Sequence, residues 1–128
     1  MIGLYTSLAG LSGMALVALG AYGAHGSGAE GMPNPQFFDT AWQLHAVHSA
    51  VLVALAMCRR PNVWLHGAFW LILAGMLFFS ATLYGQGTGL LSGSSIITPF
   101  GGVMMMAGWF ALVIAGAYRM GNRGRDRS

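Results

Sequence analysis

The chain has 128 residues, and only 7% of them are charged, which excludes a soluble domain because such a surface normally needs roughly 25% charged residues. The net charge of +3 comes from six arginines in two short stretches, which excludes the basic stripe of a nucleic-acid-binding protein. One cysteine excludes an intrachain disulfide.

Four apolar segments follow one another along the chain, and each is long enough at about 1.5 Å per residue to cross a hydrocarbon core of about 30 Å. Because backbone groups in lipid must bond to one another, these segments are predicted to be helices. The predicted fold is an all-α membrane protein, an antiparallel four-helix transmembrane bundle. Its domain covers residues 1–120, with spans at about 2–24, 41–58, 63–84 and 99–118, and a basic tail follows at 121–128.

Residues at the span boundaries favour these limits. Thr40 and Gln43 have the spacing of a capping box at the start of the second span, which is the shortest and most polar. Asn62 is a natural N-cap for the third span, and Pro99 after Thr98 opens the fourth. The first span lacks the basic start of a cleaved signal peptide, so we expect it to be a helix of the bundle.

The arginines predict the orientation of the bundle. Arg59, Arg60 and the tail fall on one side of a four-span protein, whereas the other side has only Glu30 and Asp39 as charged residues. Positive loops stay in the cytoplasm, so both termini are predicted to be cytoplasmic.

Small residues on the last two spans indicate close helix packing. Two interpretations remain open, namely packing within one bundle and a seam between copies of the chain. The residues predicted to pack are Gly67, Gly75, Ala107, Ala111 and Ala115.

Polar side chains gather at the predicted outer side. His45 and His48 lie about 7 and 12 Å inside the second span, three residues apart and therefore on one helix face. We expect His48 to face the interior near His25 or Gln43, and His45 to reach headgroup water. The cluster either binds a ligand, as in a proton relay or a metal or quinone site, or forms a structural network. Its predicted members are His25, Asp39, Gln43, His45, His48 and Thr98.

Cofactor and metal chemistry find little support in the sequence. His45 and His48 offer two ligands on one helix without a clear third, and His25 and His48 differ too much in depth to hold a haem between them. Met104, Met105 and Met106 point about 100° apart, so they cannot converge on one ion. We expect no metal, no cofactor and no catalytic residue.

Several motifs together resemble those of a known family. They occur at residues 18–25, 38–48, 78–84, 98–102 and 107–109, and so touch all four spans. The chain resembles the YgdD/YwdK family of small four-helix membrane proteins, also called domain-of-unknown-function (DUF) family 423, which has mitochondrial relatives. His25, Gln43 and His48 match residues of that family, whereas His45 stands where the family usually has glutamine and Ala81 replaces a glycine. The resemblance implies the fold and the membrane, and no biochemical role.

Three functions therefore compete. The first is a non-enzymatic structural or accessory subunit of a homo-oligomer or larger complex in a bacterial inner (plasma) membrane, with lipid and membrane proteins as partners. The second is binding or transport of a small hydrophobic or protonic ligand through the outer polar cluster. The third, an enzyme or redox protein, has the least support because no catalytic motif is found.

Overall fold

The fold is a bundle of four helices, seen in a computed structural model that describes residues 2–25, 31–59, 61–93 and 95–125. Within those ranges there is no strand, which confirms the predicted all-α class. The helices are α1 (Ile2–Ala24), α2 (Pro35–Ala56), α3 (Val63–Gly87) and α4 (Ile97–Arg125).

Each helix packs antiparallel on the next one in the sequence. The end of the bundle that holds the α1–α2 and α3–α4 connections is called the loop end below. The opposite end, called the terminal end, holds the start of α1, the α2–α3 connection and the end of α4. The loop end is the predicted outer side, and the orientation itself stays a prediction.

Three of the helices, α1, α3 and α4, are long and apolar enough to cross a membrane. The remaining helix, α2, has a similar length of 22 residues but a more polar composition. It packs on both α1 and α3, so it lies at the same level as they do. The predicted second span is therefore more polar than the spans on either side of it and is held between these two apolar helices.

The apolar core lies between the middle of the bundle and the terminal end. Phe69, Ile72 and Met76 of α3 are almost completely buried, and Leu52 of α2 packs against them. Because lipid is as apolar as these side chains, the core is held by van der Waals contact rather than by exclusion of water. The buried residues of this cluster are Tyr5, Ala9, Leu52, Ala56, Phe69, Ile72, Leu73, Met76 and Met105.

The starts of α2 and α3 differ in how well the sequence predicted them. Asn62 is the N-cap of α3, as predicted, and its side-chain oxygen accepts a hydrogen bond from the amide of Leu65 at 3.0 Å. The predicted capping box at Thr40 is wrong, because α2 begins at Pro35 and the Thr40 hydroxyl donates to the carbonyl of Gln36 inside the helix. Proline supplied the stronger start signal, since its fixed φ suits the first turn.

The predicted packing residues are used unequally. Gly75 lies against the backbone of α4, whereas a Cβ on Gly67 would meet no atom within 4 Å. On α4, Ala111 and Ala115 are buried and Ala107 is exposed. The close α3–α4 contact therefore involves only some of the residues that were predicted to pack.

Candidate functional site

A polar network crosses the bundle between the core and the loop end. The Ser12 hydroxyl of α1 lies 3.1 Å from Nε2 of His45 and 2.6 Å from the hydroxyl of Ser49, both on α2. Nδ1 of His45 lies 3.2 Å from the hydroxyl of Tyr84 on α3. Ser12, His45 and Ser49 are buried, so three helices are joined by polar contacts within a largely apolar interior. Such contacts hold helices together in lipid.

The Ser12 hydroxyl can also donate to the sulfur of Met76 at 3.9 Å, and two directions of donation run unbroken from Ser49 to Tyr84. If Ser49 donates to Ser12, then Ser12 donates to His45, and His45 donates through Nδ1 to Tyr84. In the reverse direction, Tyr84 donates to Nδ1 of His45, whose Nε2 then donates to Ser12. Either direction uses a neutral imidazole. The expectation that His45 reaches headgroup water is wrong, because its side chain is only 7% exposed.

The neighbouring histidine, His48, is bonded to different partners. Its Nδ1 donates to the carbonyl of Leu44 at 2.7 Å, and its Nε2 accepts from the indole nitrogen of Trp109 on α4 at 3.2 Å. These two bonds define a neutral imidazole with its proton on Nδ1. His48 faces the interior, as expected, but its partner is Trp109 rather than His25 or Gln43.

A second polar group lies at the terminal end. The Tyr5 hydroxyl accepts from the indole nitrogen of Trp70 at 3.1 Å and lies 2.8 Å from Nδ1 of His66. The phenol either donates to Nδ1 of the imidazole or accepts from it, depending on which ring nitrogen carries the proton. The Tyr5 ring also stacks on Phe69, with ring centroids 4.1 Å apart. This group ties α1 to α3 on the opposite side of the core from His45.

The other predicted members of the outer cluster remain apart. His25, Asp39 and Gln43 are exposed, and Thr98 is half-buried with its hydroxyl enclosed and unbonded. Across the described ranges, no hydrogen bond joins any two of the six predicted residues. The structure therefore keeps the two buried histidines in separate contacts and leaves the remaining residues at the loop end.

No group of three histidine, cysteine or acidic side chains comes together among the described residues. Although His45 and His48 share one side of α2, their rings turn to different neighbours. The ring of His45 lies between α1 and α3, and that of His48 points to α4. Each of the two rings thus makes hydrogen bonds to helices other than α2.

Two grooves open near the loop end. One, of about 720 Å³, lies between the start of α2, the end of α3 and the start of α4, and Asn34, Gln86 and Thr98 are among its lining residues. The other, of about 650 Å³, lies between α1 and α2 and is mostly apolar. Neither is lined by His45 or His48.

Comparison with known proteins agrees with this architecture. Residues 19–102 match the family described as "Protein of unknown function (DUF423)", a region that includes α2, α3 and the start of α4. The chain belongs to this family. The match includes His45, His48 and Tyr84, but Ser12 and Tyr5 of α1 precede it.

Relatives within the family are membrane proteins of bacteria. UPF0382 inner membrane protein YgdD of Escherichia coli (strain K12) is 35% identical over 90 residues, which cover 69% of this chain and 68% of that protein. A UPF0382 membrane protein of Staphylococcus aureus (strain bovine RF122 / ET3-1) is 36% identical over 66 residues, or 52% of this chain and 54% of that protein. No solved structure matches the chain. Like these relatives, the chain is a membrane protein, and its family has no assigned role.

The main partners of the buried histidines were absent from the predicted site. Ser12 lies in an apolar, glycine-rich helix that also contains Ser7, so the sequence does not single it out, and Trp109 occurs in the same kind of context. One signal was available for Ser12, because a hydroxyl near the middle of a membrane helix needs a partner there. The sequence gives no rotation of α1, so that partner could not be named.

Proposed function

We propose that this protein is a non-enzymatic structural or accessory subunit of an assembly in the bacterial inner membrane. One observation carries the proposal, namely the outward face of α1. A Cβ on Gly3 or Gly10 would meet no atom within 4 Å, although both glycines lie in a helix apolar enough to cross the membrane. Glycines on an outer helix face permit the close approach of another helix.

The glycines in the α3–α4 contact can be compared with those on the outward face of α1. In the α3–α4 contact, the backbone of the neighbouring helix occupies the space where a side chain on Gly75 or Gly101 would lie, so both glycines permit close packing. On α1 the corresponding space is empty in the single chain. Glycine also costs a helix about 1 kcal/mol relative to alanine, so an unfilled glycine face needs some compensation. A second helix seated on this face supplies it.

The internal polar groups support a structural role rather than a transported ligand. The network around His45 and the group around Tyr5 are separated by an apolar layer that includes Ala9, Leu52 and Phe69. A proton path needs a continuous series of polar groups or water, which this layer interrupts. The histidine rings instead bond to other helices, which favours a fixed bundle as a platform for assembly.

The test uses the full chain purified in a mild detergent, with its size measured by light scattering and co-purifying proteins identified by mass spectrometry. Gly10→Leu fills the open face of α1, and Gly116→Leu is its control because Gly116 is equally open but lies on α4. We expect the wild-type chain and Gly116→Leu to remain associated, and Gly10→Leu to run as a folded monomer. A wild-type monomer without a partner contradicts the proposal.

A further inference from the structure

A groove between α1 and α2 opens near the loop end, beside the last turns of α1. It has a volume of about 650 Å³, and its lining includes Leu16, Val17, Gly20, Phe38, Asp39 and Trp42. This volume falls in the range of small-molecule sites, roughly 300–1,000 Å³. One charged side chain in an otherwise apolar lining is the feature that decides its ligand.

The groove is shaped by two glycines and two aromatic rings. A Cβ on Gly20 would lie 2.8 Å from the indole nitrogen of Trp42, and one on Gly23 would lie 2.7 Å from the ring of Phe38. The Trp42 indole also donates to the carbonyl of Leu16 at 3.2 Å, which holds this ring against α1. The wall on the α2 side is therefore fixed by packing and by a hydrogen bond.

The position of the groove along α1 exposes it to lipid. It extends from Leu16 to Ala24 at the end of the helix, a distance of about 12 Å at 1.5 Å per residue. Since α1 is apolar enough to cross a membrane, most of this length lies at hydrocarbon level. An open apolar groove there is filled by an acyl chain rather than by water.

Asp39 stands near the end of the groove that faces the headgroups. It lies next to Phe38, which packs against Gly23 close to the end of α1, and its side chain is exposed. No lysine or arginine occurs in the sequence before Arg59, and none occurs between Arg60 and Arg119. The loop end thus offers this carboxylate no lysine or arginine partner from its own chain.

We propose that the groove binds phosphatidylethanolamine, with an acyl chain between Val17 and Trp42 and the primary ammonium of the headgroup beside Asp39. The ammonium supplies the positive charge that the loop end lacks, and its N–H groups donate to the carboxylate. A second copy of the chain fits less well, because a symmetric contact through this groove places two Asp39 carboxylates near each other.

The test measures lipid retained by the full-length chain in native mass spectrometry. The chain is purified in a mild detergent and supplied with phosphatidylethanolamine or phosphatidylglycerol of identical acyl chains. We expect the wild-type chain to retain phosphatidylethanolamine about fivefold better, as for one exposed ion pair. Asp39→Asn should reduce this ratio to about one, because the neutral amide no longer distinguishes the two headgroups.

A second pair of variants tests the groove itself. Val17→Trp places a large ring in the groove, and Val113→Trp places the same ring on α4. The two valines are matched in exposure, at 72% for Val17 and 68% for Val113. We expect Val17→Trp alone to lose retention of both lipids. An unchanged headgroup ratio in Asp39→Asn, or equal retention by the two tryptophan variants, overturns the proposal. A dimer that Val17→Trp dissociates without loss of lipid also overturns it, because the occupant is then a second chain.

Discussion

Gly75 of α3 and Gly101 of α4 are in direct backbone contact. A Cβ on Gly75 would lie 2.7 Å from the carbonyl oxygen of Gly101 and 2.7 Å from the amide nitrogen of Met105. A Cβ on Gly101 would lie 2.6 Å from the amide nitrogen of Phe79. Neither helix can accept a side chain at this crossing without moving, so the two glycines fix the distance between α3 and α4.

Replacing Gly75 by alanine is expected to destabilise the bundle. The added methyl group meets backbone atoms, which cannot rotate away, and overpacking of this kind costs about 1–3 kcal/mol. Thermal unfolding in detergent measures the effect. Gly116→Ala is the control, because its Cβ has open space and alanine improves helix propensity by up to about 1 kcal/mol. Equal melting temperatures for the two variants contradict the α3–α4 contact.

The hydrogen bond between Ser12 and His45 is expected to couple α1 to α2. Ser12→Ala and His45→Leu, alone and combined, form a double-mutant cycle whose coupling energy should be about 0.6 kcal/mol and at most about 1.7 kcal/mol. The matched cycle pairs Ser12→Ala with His48→Leu, whose ring bonds to Trp109 instead. This control should be additive within about 0.5 kcal/mol. Equal coupling energies in the two cycles contradict the finding that His45 bonds to Ser12 and His48 does not.

The Tyr5 hydroxyl is expected to stabilise the terminal end. Tyr5→Phe keeps the stacked ring on Phe69 but removes the bonds to His66 and Trp70, at a cost of about 0.5–1.5 kcal/mol. Loss of the indole hydrogen bond should also change the fluorescence of Trp70, measured in a chain whose other tryptophans are replaced by phenylalanine. Tyr22→Phe, at an exposed position on the same helix, should change neither quantity.

The two ends of the bundle are expected to face opposite sides of the membrane. The α2–α3 connection and the end of α4 lie at the terminal end, and the α3–α4 connection lies at the loop end. Reporter fusions at Arg60 and Ser128 should therefore report the cytoplasm, and a fusion at Gly89 the opposite side. A fusion at Gly89 that reports the cytoplasm rules out the predicted topology.

Local sequence signals predicted which segments are helices better than they predicted the residues at which the helices begin and end. Asn62 was identified as a cap because its side chain bonds to an amide three residues later, a contact that depends on nearby residues alone. Thr40 has equally good local spacing, but α2 begins at Pro35. There Asn34 is bonded to α3. Its backbone N–H donates to the carbonyl of Gly87 at 3.2 Å, and its side-chain NH₂ donates to the backbone carbonyl of Gln86 at 3.2 Å. The tertiary contact with α3 thus holds the start of α2 in place.

The sequence by itself determined that this protein is an all-α membrane protein of four helices, because segment length and lipid-compatible composition are local properties of the chain. Only the tertiary structure decided that His45 bonds to Ser12 and Tyr84, and His48 to Trp109. In water, a polar stripe marks the outer face of a helix and so reveals its rotation. In lipid the outer face is as apolar as the core, so the rotation of each helix is decided by packing against its neighbours.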